Sequence, residues 1–349
     1  MQKSYSDFIE TFNSIVASSG RILITSHMRP DDDSISSVLA MYYYLTETLG
    51  KERVDIIYSG EIQQRWNYFK SFEKIHSTDD IASRIDQFDV ILCLDGSQFS
   101  RFSSSPQKII ESPVKKICID HHASPVDTFD TAYIDSDQTS CAEVVYQLFF
   151  EKAERLEPAI CETLLLGIMG DTGTFKFIKP EQSSVFQIVE RLVYEGNINI
   201  QLLKSRYEGF SQKAFQLIQK LVNNSSIIHI QGVPDFLISH INSEEIEKEG
   251  YTGLEANEAA HIFIHMFGLS IHGVSWGMVL YPLGQNIKVS MRSRPESTNV
   301  RIIAEGMGRG GGHDRAAGMT FTGMDPVNGM EQTIEEIRGY LIEKGVKLT

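Results

Sequence analysis

Aspartate and histidine residues follow four apolar segments of this sequence. They are His27, Asp31 and Asp33; Asp95; Asp120, His121 and His122; and Asp171. A single aspartate after a strand is usually a helix cap or a turn residue, so only the combination is informative. In an open parallel sheet, ligands bind outside the carboxyl ends of the strands. We therefore expect these side chains to meet in one crevice.

Several carboxylates in one crevice repel one another unless protons or cations lie between them. Hard divalent ions with mixed aspartate and histidine ligands remove that repulsion. The chain has four cysteines and no CxxC pair, which favours a manganese- or magnesium-type site over structural zinc. Two such ions roughly 3.5–4 Å apart suit in-line displacement at phosphorus, with water activated between them and one carboxylate shared. A Ser-His-Asp hydrolase fits less well, and the sequence has no P-loop.

A second group of candidate residues lies nearer the C-terminus, in the segment Gly310-Gly311-Gly312-His313. Consecutive glycines permit close backbone approach and can direct N–H groups at an anion, although a flexible turn is the commoner explanation. Arg292 ends a predicted strand nearby in the sequence, and an arginine fork binds two phosphate oxygens at once. Together these residues predict a substrate-binding lobe that faces the acidic crevice.

Strand and helix patterns alternate in the first part of the chain. Strands are predicted at 22–25, 54–58, 90–94 and 116–119, and helices at 34–49, 140–152 and 159–169. This alternation predicts an α/β fold, with a parallel sheet covered by helices on both faces. We expect a catalytic domain over 1–205, a connecting helix or linker over 206–225, and a smaller α+β domain over 226–349.

Composition limits the partners that this chain can have. Its 349 residues carry 46 acidic and 32 basic side chains, a net charge of −14. Such a chain is a poor ligand for long duplex nucleic acid and for anionic membranes, whereas a small anionic substrate can bind at a local cationic site. No apolar run approaches the ~20 residues that span a bilayer. The few cysteines lie mostly in apolar segments, and together these features predict a cytoplasmic protein.

The order of these motifs resembles that of the DHH phosphoesterase superfamily. The motifs are His27-x-x-Pro30-Asp31-x-Asp33-Ser34, then Asp95, then Asp120-His121-His122, then Asp171-Thr172-Gly173. The glycine segment ending at His313 resembles that of the DHH-associated C-terminal domain. The resemblance covers roughly residues 15 to 325, and the two-domain length is most similar to the oligoribonuclease and phosphoadenosine phosphate phosphatase type.

The resemblance implies a role for each matching residue. His27 and Asp31 would hold one ion, while Asp33, His121 and Asp171 would hold the other, and Asp95 would bridge them. The catalytic set would be Asp95 with His121, His122, which would contact the phosphate or support the ligands, and Asp120, which would orient a histidine. Arg292, Gly310, Gly311, Gly312 and His313 would hold the substrate. Two positions depart from the family pattern: Ser36 replaces a usual glycine, and Asp314 replaces a usual proline.

The expected activity is metal-dependent hydrolysis of very short oligonucleotides, and of 3′-phosphoadenosine-5′-phosphate as a further substrate. The resemblance implies two divalent ions, with Mn²⁺ preferred and Mg²⁺ an option, and a homodimer is common among relatives. The polarity of attack stays open between 3′–5′ and 5′–3′. The alternatives are a pyrophosphatase or exopolyphosphatase, a cyclic-dinucleotide phosphodiesterase and, more remotely, a non-catalytic nucleotide sensor. Tyr251 or Trp276 would favour a nucleotide substrate if either could stack on a base.

Overall fold

The computed structural model describes residues 4–123, 126–207, 209–324 and 328–345. The chain divides into two compact units, Met1–Glu208 and Gly209–Thr349. Among the described residues, no helix combines the length and apolar character that crossing a bilayer requires.

The first unit is a parallel sheet between helices, so the α/β prediction is confirmed. Its strands are β1 (Ile22–Thr25), β2 (Val54–Ser59), β3 (Ile75–Thr78), β4 (Val90–Leu94), β5 (Lys115–Asp120) and β6 (Thr131–Ile134). Its helices are α1 (Tyr5–Ser18), α2 (Asp32–Tyr43), α3 (Phe99–Phe102), α4 (Pro106–Glu111), α5 (Cys141–Phe149), α6 (Pro158–Asp171), α7 (Val185–Gly196) and α8 (Ile200–Tyr207).

The strand order of this sheet is β3-β2-β1-β4-β5-β6, and every neighbouring pair is parallel. Strands β1 and β4 are fully buried because helices cover both faces of the sheet. The order reverses between β1 and β4, which is the place where doubly wound folds bind ligands. The fold therefore selects the carboxyl ends of these two strands as the site.

The second unit contains a mixed sheet in the order β11-β12-β10-β9-β8-β7. Its strands are β7 (Ser226–Ile230), β8 (Val233–His240), β9 (Trp276–Leu283), β10 (Asn286–Ser293), β11 (Gly310–His313) and β12 (Ala316–Thr322). Its helices are α9 (Gln212–Asn223), α10 (Ser243–Glu249), α11 (Gly253–Phe267), α12 (Val300–Gly306) and α13 (Gly329–Lys344). Helix α9, expected as a connector, buries Leu217 and Leu221 in one apolar cluster with Phe263 of α11.

Candidate metal centre

The side chains that follow β1 and β4 lie at the reversal of strand order. His27 comes shortly after β1, and Asp95 comes directly after β4. Asp31 is the N-cap of α2, where its carboxylate accepts a hydrogen bond from the Ser34 N–H at 3.0 Å. His27 Nε2 lies 3.2 Å from Asp95 Oδ2 and 3.6 Å from Asp31 Oδ2. The Nδ1–H of His27 donates to the Met28 carbonyl, which leaves Nε2 as the nitrogen available for a metal.

A second group forms beside the first. His121 Nε2 lies 3.1 Å from Asp171 Oδ2 and 3.8 Å from Asp33 Oδ2. His121 follows β5 and Asp33 is on the first turn of α2, whereas Asp171 is the last residue of α6 and not the end of a strand. The donor atoms of each group lie within 4.8 Å of one another, a spacing suited to a shared cation.

Asp95 connects the two groups through its two oxygens. Oδ2 faces His27, while Oδ1 lies 3.7 Å from His121 Nε2 and 3.5 Å from His122 Nδ1. The residue has φ +55°, a left-handed backbone conformation that is uncommon for a residue with a side chain. Such conformations cluster at functional sites because surrounding structure must enforce them.

Asp120 holds the neighbouring histidines. Its Oδ1 accepts hydrogen bonds from the N–H groups of His121 and His122 and lies 2.7 Å from His122 Nδ1. Burial alone would raise the pKa of Asp120, but the hydrogen bonds to His122 and the charges of His122 and His121 together outweigh it and lower that pKa. A charged Asp120 therefore fixes the ring of His122 beside Asp95.

Asp33 is completely buried and is anchored by the first turn of α5. Its carboxylate accepts hydrogen bonds from the N–H groups of Cys141 at 2.6 Å and Ala142 at 2.8 Å. Helix α6 approaches closely at Gly167, where an added Cβ would lie 3.0 Å from Asp33 Oδ1 and 2.9 Å from Ser36 Cβ. Gly167 thus provides the space that Ser36 needs in α2.

The electrostatics of the cluster call for added positive charge. Burial and the charges of Asp95 and Asp171 raise the pKa of Asp33 well above its ordinary value. Burial would lower the pKa of His121, but the Asp171 carboxylate beside its Nε2 and the charges of Asp33 and Asp95 raise it to about 10. Protons are thus retained where carboxylates crowd together, and divalent cations would meet the same demand.

Two buried atoms of the cluster test whether a metal fits. Asp95 Oδ1 and His121 Nε2 are buried without a hydrogen-bond partner among the described residues. Unpartnered buried polar atoms are costly unless a ligand or water satisfies them. Both atoms belong to residues of the two groups described above. The ligand atoms of these groups are carboxylate oxygens and imidazole nitrogens, which divalent ions take. The residues present therefore fit a divalent metal site.

One neighbour of the ligands was missed by sequence reasoning. Asp32, between two candidate ligands, is buried and accepts hydrogen bonds at 2.7 Å from Trp66 Nε1 and from the Arg65 guanidinium. Its pKa is nevertheless raised, because burial outweighs the Arg65 charge. Three successive acidic residues usually indicate a solvated loop. The spacing of the sequence does not indicate that Asp32 has partners more than thirty residues away.

The sequence predicts a loop at Gly310–His313 in the second unit. This prediction is wrong, because these residues form the edge strand β11. Its residues pair with β12, with Gly311 opposite Gly318 and His313 opposite Ala316. An added Cβ at Gly310 would lie only 1.9 Å from the Gly318 carbonyl oxygen, so the glycine permits the strands to approach. Ala316 is also opposite Arg292 on β10. The register therefore places Arg292 and His313 in one transverse row, two strand spacings apart.

A segment with the spacing of a serine hydrolase motif, Gly273-Val274-Ser275-Trp276-Gly277, also lies in this unit. A nucleophile elbow joins a strand to a helix. Here the segment leads into β9, and the Ser275 carbonyl accepts a hydrogen bond from the Arg294 N–H, which continues the pairing of β9 with β10. The segment is therefore not a nucleophile elbow.

This chain is similar in sequence to known proteins, in one case over most of its length. Residues 21–168 match the DHH family, N-terminal domain, a span that ends three residues before Asp171. The chain is 26% identical over 328 residues to the "Bifunctional oligoribonuclease and PAP phosphatase NrnA" of Thermus thermophilus, covering 93% of this chain and 92% of that protein. It is also 26% identical over 160 residues to a probable manganese-dependent inorganic pyrophosphatase of Staphylococcus epidermidis, covering 45% of this chain and 49% of that one.

Among solved structures, an exopolyphosphatase-related protein from Bacteroides fragilis matches with a TM-score of 0.81 at 23% identity. The match covers 96% of this chain and 98% of that one. At this identity the likeness shows a shared fold.

Proposed function

We propose that this phosphoester hydrolase, whose residues 21–168 match the DHH family, hydrolyses very short oligonucleotides and 3′-phosphoadenosine-5′-phosphate. One observation carries the choice of substrate. The relative named for those two activities aligns over 93% of this chain, whereas the pyrophosphatase aligns over 45%. Both units, and not the metal centre alone, are therefore shared with the oligoribonuclease.

We propose that the metal centre takes two divalent ions, with Mn²⁺ preferred. His27 and Asp31 would hold one, and Asp33, His121 and Asp171 the other, with Asp95 shared. The two groups of donor atoms support this division, because the two oxygens of Asp95 face different histidines. When bound, such ions activate water and offset the charge that develops on the phosphoryl oxygens.

The side chains of this chain position the reaction in three ways. Asp95 sets the distance between the two ligand groups. Asp33, held by the N–H groups of α5, keeps its carboxylate in place without solvent rearrangement. His122, oriented by the charged Asp120, presents its ring beside Asp95, where it can donate a hydrogen bond to a phosphate oxygen.

The second unit would bind the substrate through Arg292, His313 and the N–H groups of β11. Their row across the sheet supports this role, since Arg292 is separated from His313 only by the small residue Ala316. The substrate would be short, because the net charge of −14 disfavours long polyanions.

Four free and buried cysteines are consistent with a reducing cytoplasm.

Pyrophosphate or polyphosphate is the second candidate substrate, and the match to the pyrophosphatase favours it. The two aromatic residues that could stack on a base, Trp276 and Tyr251, do not favour a nucleotide over pyrophosphate. Trp276 is fully buried against Phe236 and donates its Nε1–H to the Pro234 carbonyl, so it cannot stack on a base. The Tyr251 hydroxyl bonds to Gln216.

A single assay panel with Mn²⁺ separates these candidates. The substrates are a dinucleotide, a five-residue RNA, phosphoadenosine phosphate, cyclic dinucleotides and pyrophosphate, each at several concentrations. We expect the highest kcat/KM on the dinucleotide and measurable release of phosphate from phosphoadenosine phosphate. End-labelled RNA in the same panel reports the polarity of attack. Hydrolysis of pyrophosphate alone would overturn the proposal.

A further inference from the structure

Arg292 is held in place without a carboxylate partner among the described residues. Its Nε–H donates to His265 Nε2 at 3.3 Å, and its Nη1 donates to the Met291 carbonyl at 2.9 Å. In the same unit, Arg301 bonds to Asp314 and Arg309 bonds to Glu336, each at close range. Burial lowers the pKa of Arg292. Its charge thus lacks the carboxylate partner that Arg301 and Arg309 have.

The contact with His265 fixes the direction of the guanidinium. A ring nitrogen that accepts from Nε–H must carry a lone pair, so the proton of a neutral ring lies on Nδ1. Of the five N–H donors of an arginine, one points at His265 and one at the Met291 carbonyl. The others, on the Nη atoms, can donate to two oxygens of an anionic group such as a phosphate.

His265 is itself held by a polar stripe on α11. Asn257, His261 and His265 are spaced by four residues, so they lie on one face of the helix. The Asn257 amide oxygen accepts a hydrogen bond from the Tyr281 hydroxyl at 2.6 Å, which ties this face to β9. The rings of His261 and His265 lie 4.7 Å apart. The stripe therefore places His265 against β10 at the level of Arg292.

We propose that His265 is a positioning residue for the substrate's phosphate. It orients the Arg292 guanidinium, and so it sets the affinity for substrate and leaves the chemical step at the metal centre unchanged. The proposal rests on the proposed function, since it assumes that Arg292 contacts a phosphate of the substrate. It adds a residue of α11 to the sheet residues that the motifs indicate.

The test compares His265→Leu and His265→Gln in steady-state assays on a dinucleotide with Mn²⁺. Losing one hydrogen bond to a charged group should raise KM about tenfold, while kcat stays within about twofold. The Oε1 of glutamine can accept from Arg292, so His265→Gln should recover most of the affinity. The matched control is His229→Leu. His229 is an exposed histidine on β7, the far edge of the sheet, and it pairs with Asp235 of β8. It should leave KM unchanged.

A second measurement guards against a purely structural effect. In an Arg292→Ala background, His265→Leu should add no further increase in KM, because the residue acts through Arg292. Additive effects in the double variant would overturn the proposal, as would an unchanged KM in His265→Leu or an equal loss in His265→Gln. If the wild type hydrolyses pyrophosphate and no dinucleotide, the proposed function fails. The same KM comparison with pyrophosphate then decides the role of His265 separately.

Discussion

A single methyl group at Gly167 should disturb both the stability of the first unit and its metal centre. Gly167 is in the interior of α6, where an alanine Cβ would lie 2.6 Å from Ala142 Cβ, 2.9 Å from Ser36 Cβ and 3.0 Å from Asp33 Oδ1. Overpacking a core costs about 1–3 kcal/mol, and three contacts this short place the cost near about 3 kcal/mol. Alanine regains about 1 kcal/mol of helix propensity over glycine. The free energy of unfolding should therefore fall by about 2 kcal/mol.

Gly339→Ala provides the matched control. Gly339 is also inside a helix, α13, but an added Cβ there meets nothing within 4 Å. Without overpacking, the variant should gain the helix-propensity term of about 1 kcal/mol. Urea denaturation followed by the fluorescence of Trp66 and Trp276, one in each unit, measures both changes.

Gly167→Ala should also weaken metal binding. The new methyl group presses on Asp33 Oδ1, so the ligand oxygen must move or the helices must separate. Titration of activity with Mn²⁺ should show a higher concentration at half-maximal rate for Gly167→Ala and an unchanged one for Gly339→Ala. If Gly167→Ala is as stable as the wild type and shows the same Mn²⁺ dependence, then the packing argument is wrong.

Three further predictions concern the site and its surroundings. Asp95→Ala should lower kcat on the order of 10³-fold with saturating Mn²⁺, because the two oxygens of this carboxylate face a histidine of each ligand group; wild-type turnover would exclude the two-metal assignment. Asp120→Ala should lower kcat or Mn²⁺ affinity about 10–100-fold, since it removes the support of His122, and a change under twofold would contradict that role. Mn²⁺ at about 100 times its Kd should raise the free energy of unfolding of the wild type by about 2.7 kcal/mol for each ion bound, and should raise that of Asp95→Ala by clearly less, as measured by urea denaturation.

The sequence predicted which side chains lie together because the relevant signals are local. His27, Asp95 and His121 each follow a short apolar strand, and the carboxyl ends of parallel strands share one edge. The strands β3 and β6 were missed because neither is a buried apolar run: β3 reads Ile75-His76-Ser77-Thr78, and β6 is mostly half-buried. Edge strands carry mixed sequences because one side has no neighbouring strand.

Other features depend on contacts that sequence spacing does not encode. Three successive glycines predict a loop from local propensity alone. They form β11 instead, because glycines at 310 and 312 allow the backbone to approach β12 more closely than a side chain would permit. The anchoring of Asp33 by the N–H groups of Cys141 and Ala142 joins residues more than a hundred positions apart. Local patterns thus identify which residues meet, whereas tertiary contacts decide how each is held.

At Asp95, the proposed chemistry requires a carboxylate, whereas the left-handed backbone conformation favours glycine. A glycine adopts φ +55° without steric cost, whereas aspartate must be forced into it. Asp95→Gly would therefore relax the backbone while removing the shared carboxylate. Selection for foldability alone would drive this position away from aspartate, and only selection for turnover retains it. Position 95 is thus a place where a more stable but inactive descendant of this enzyme is one substitution away.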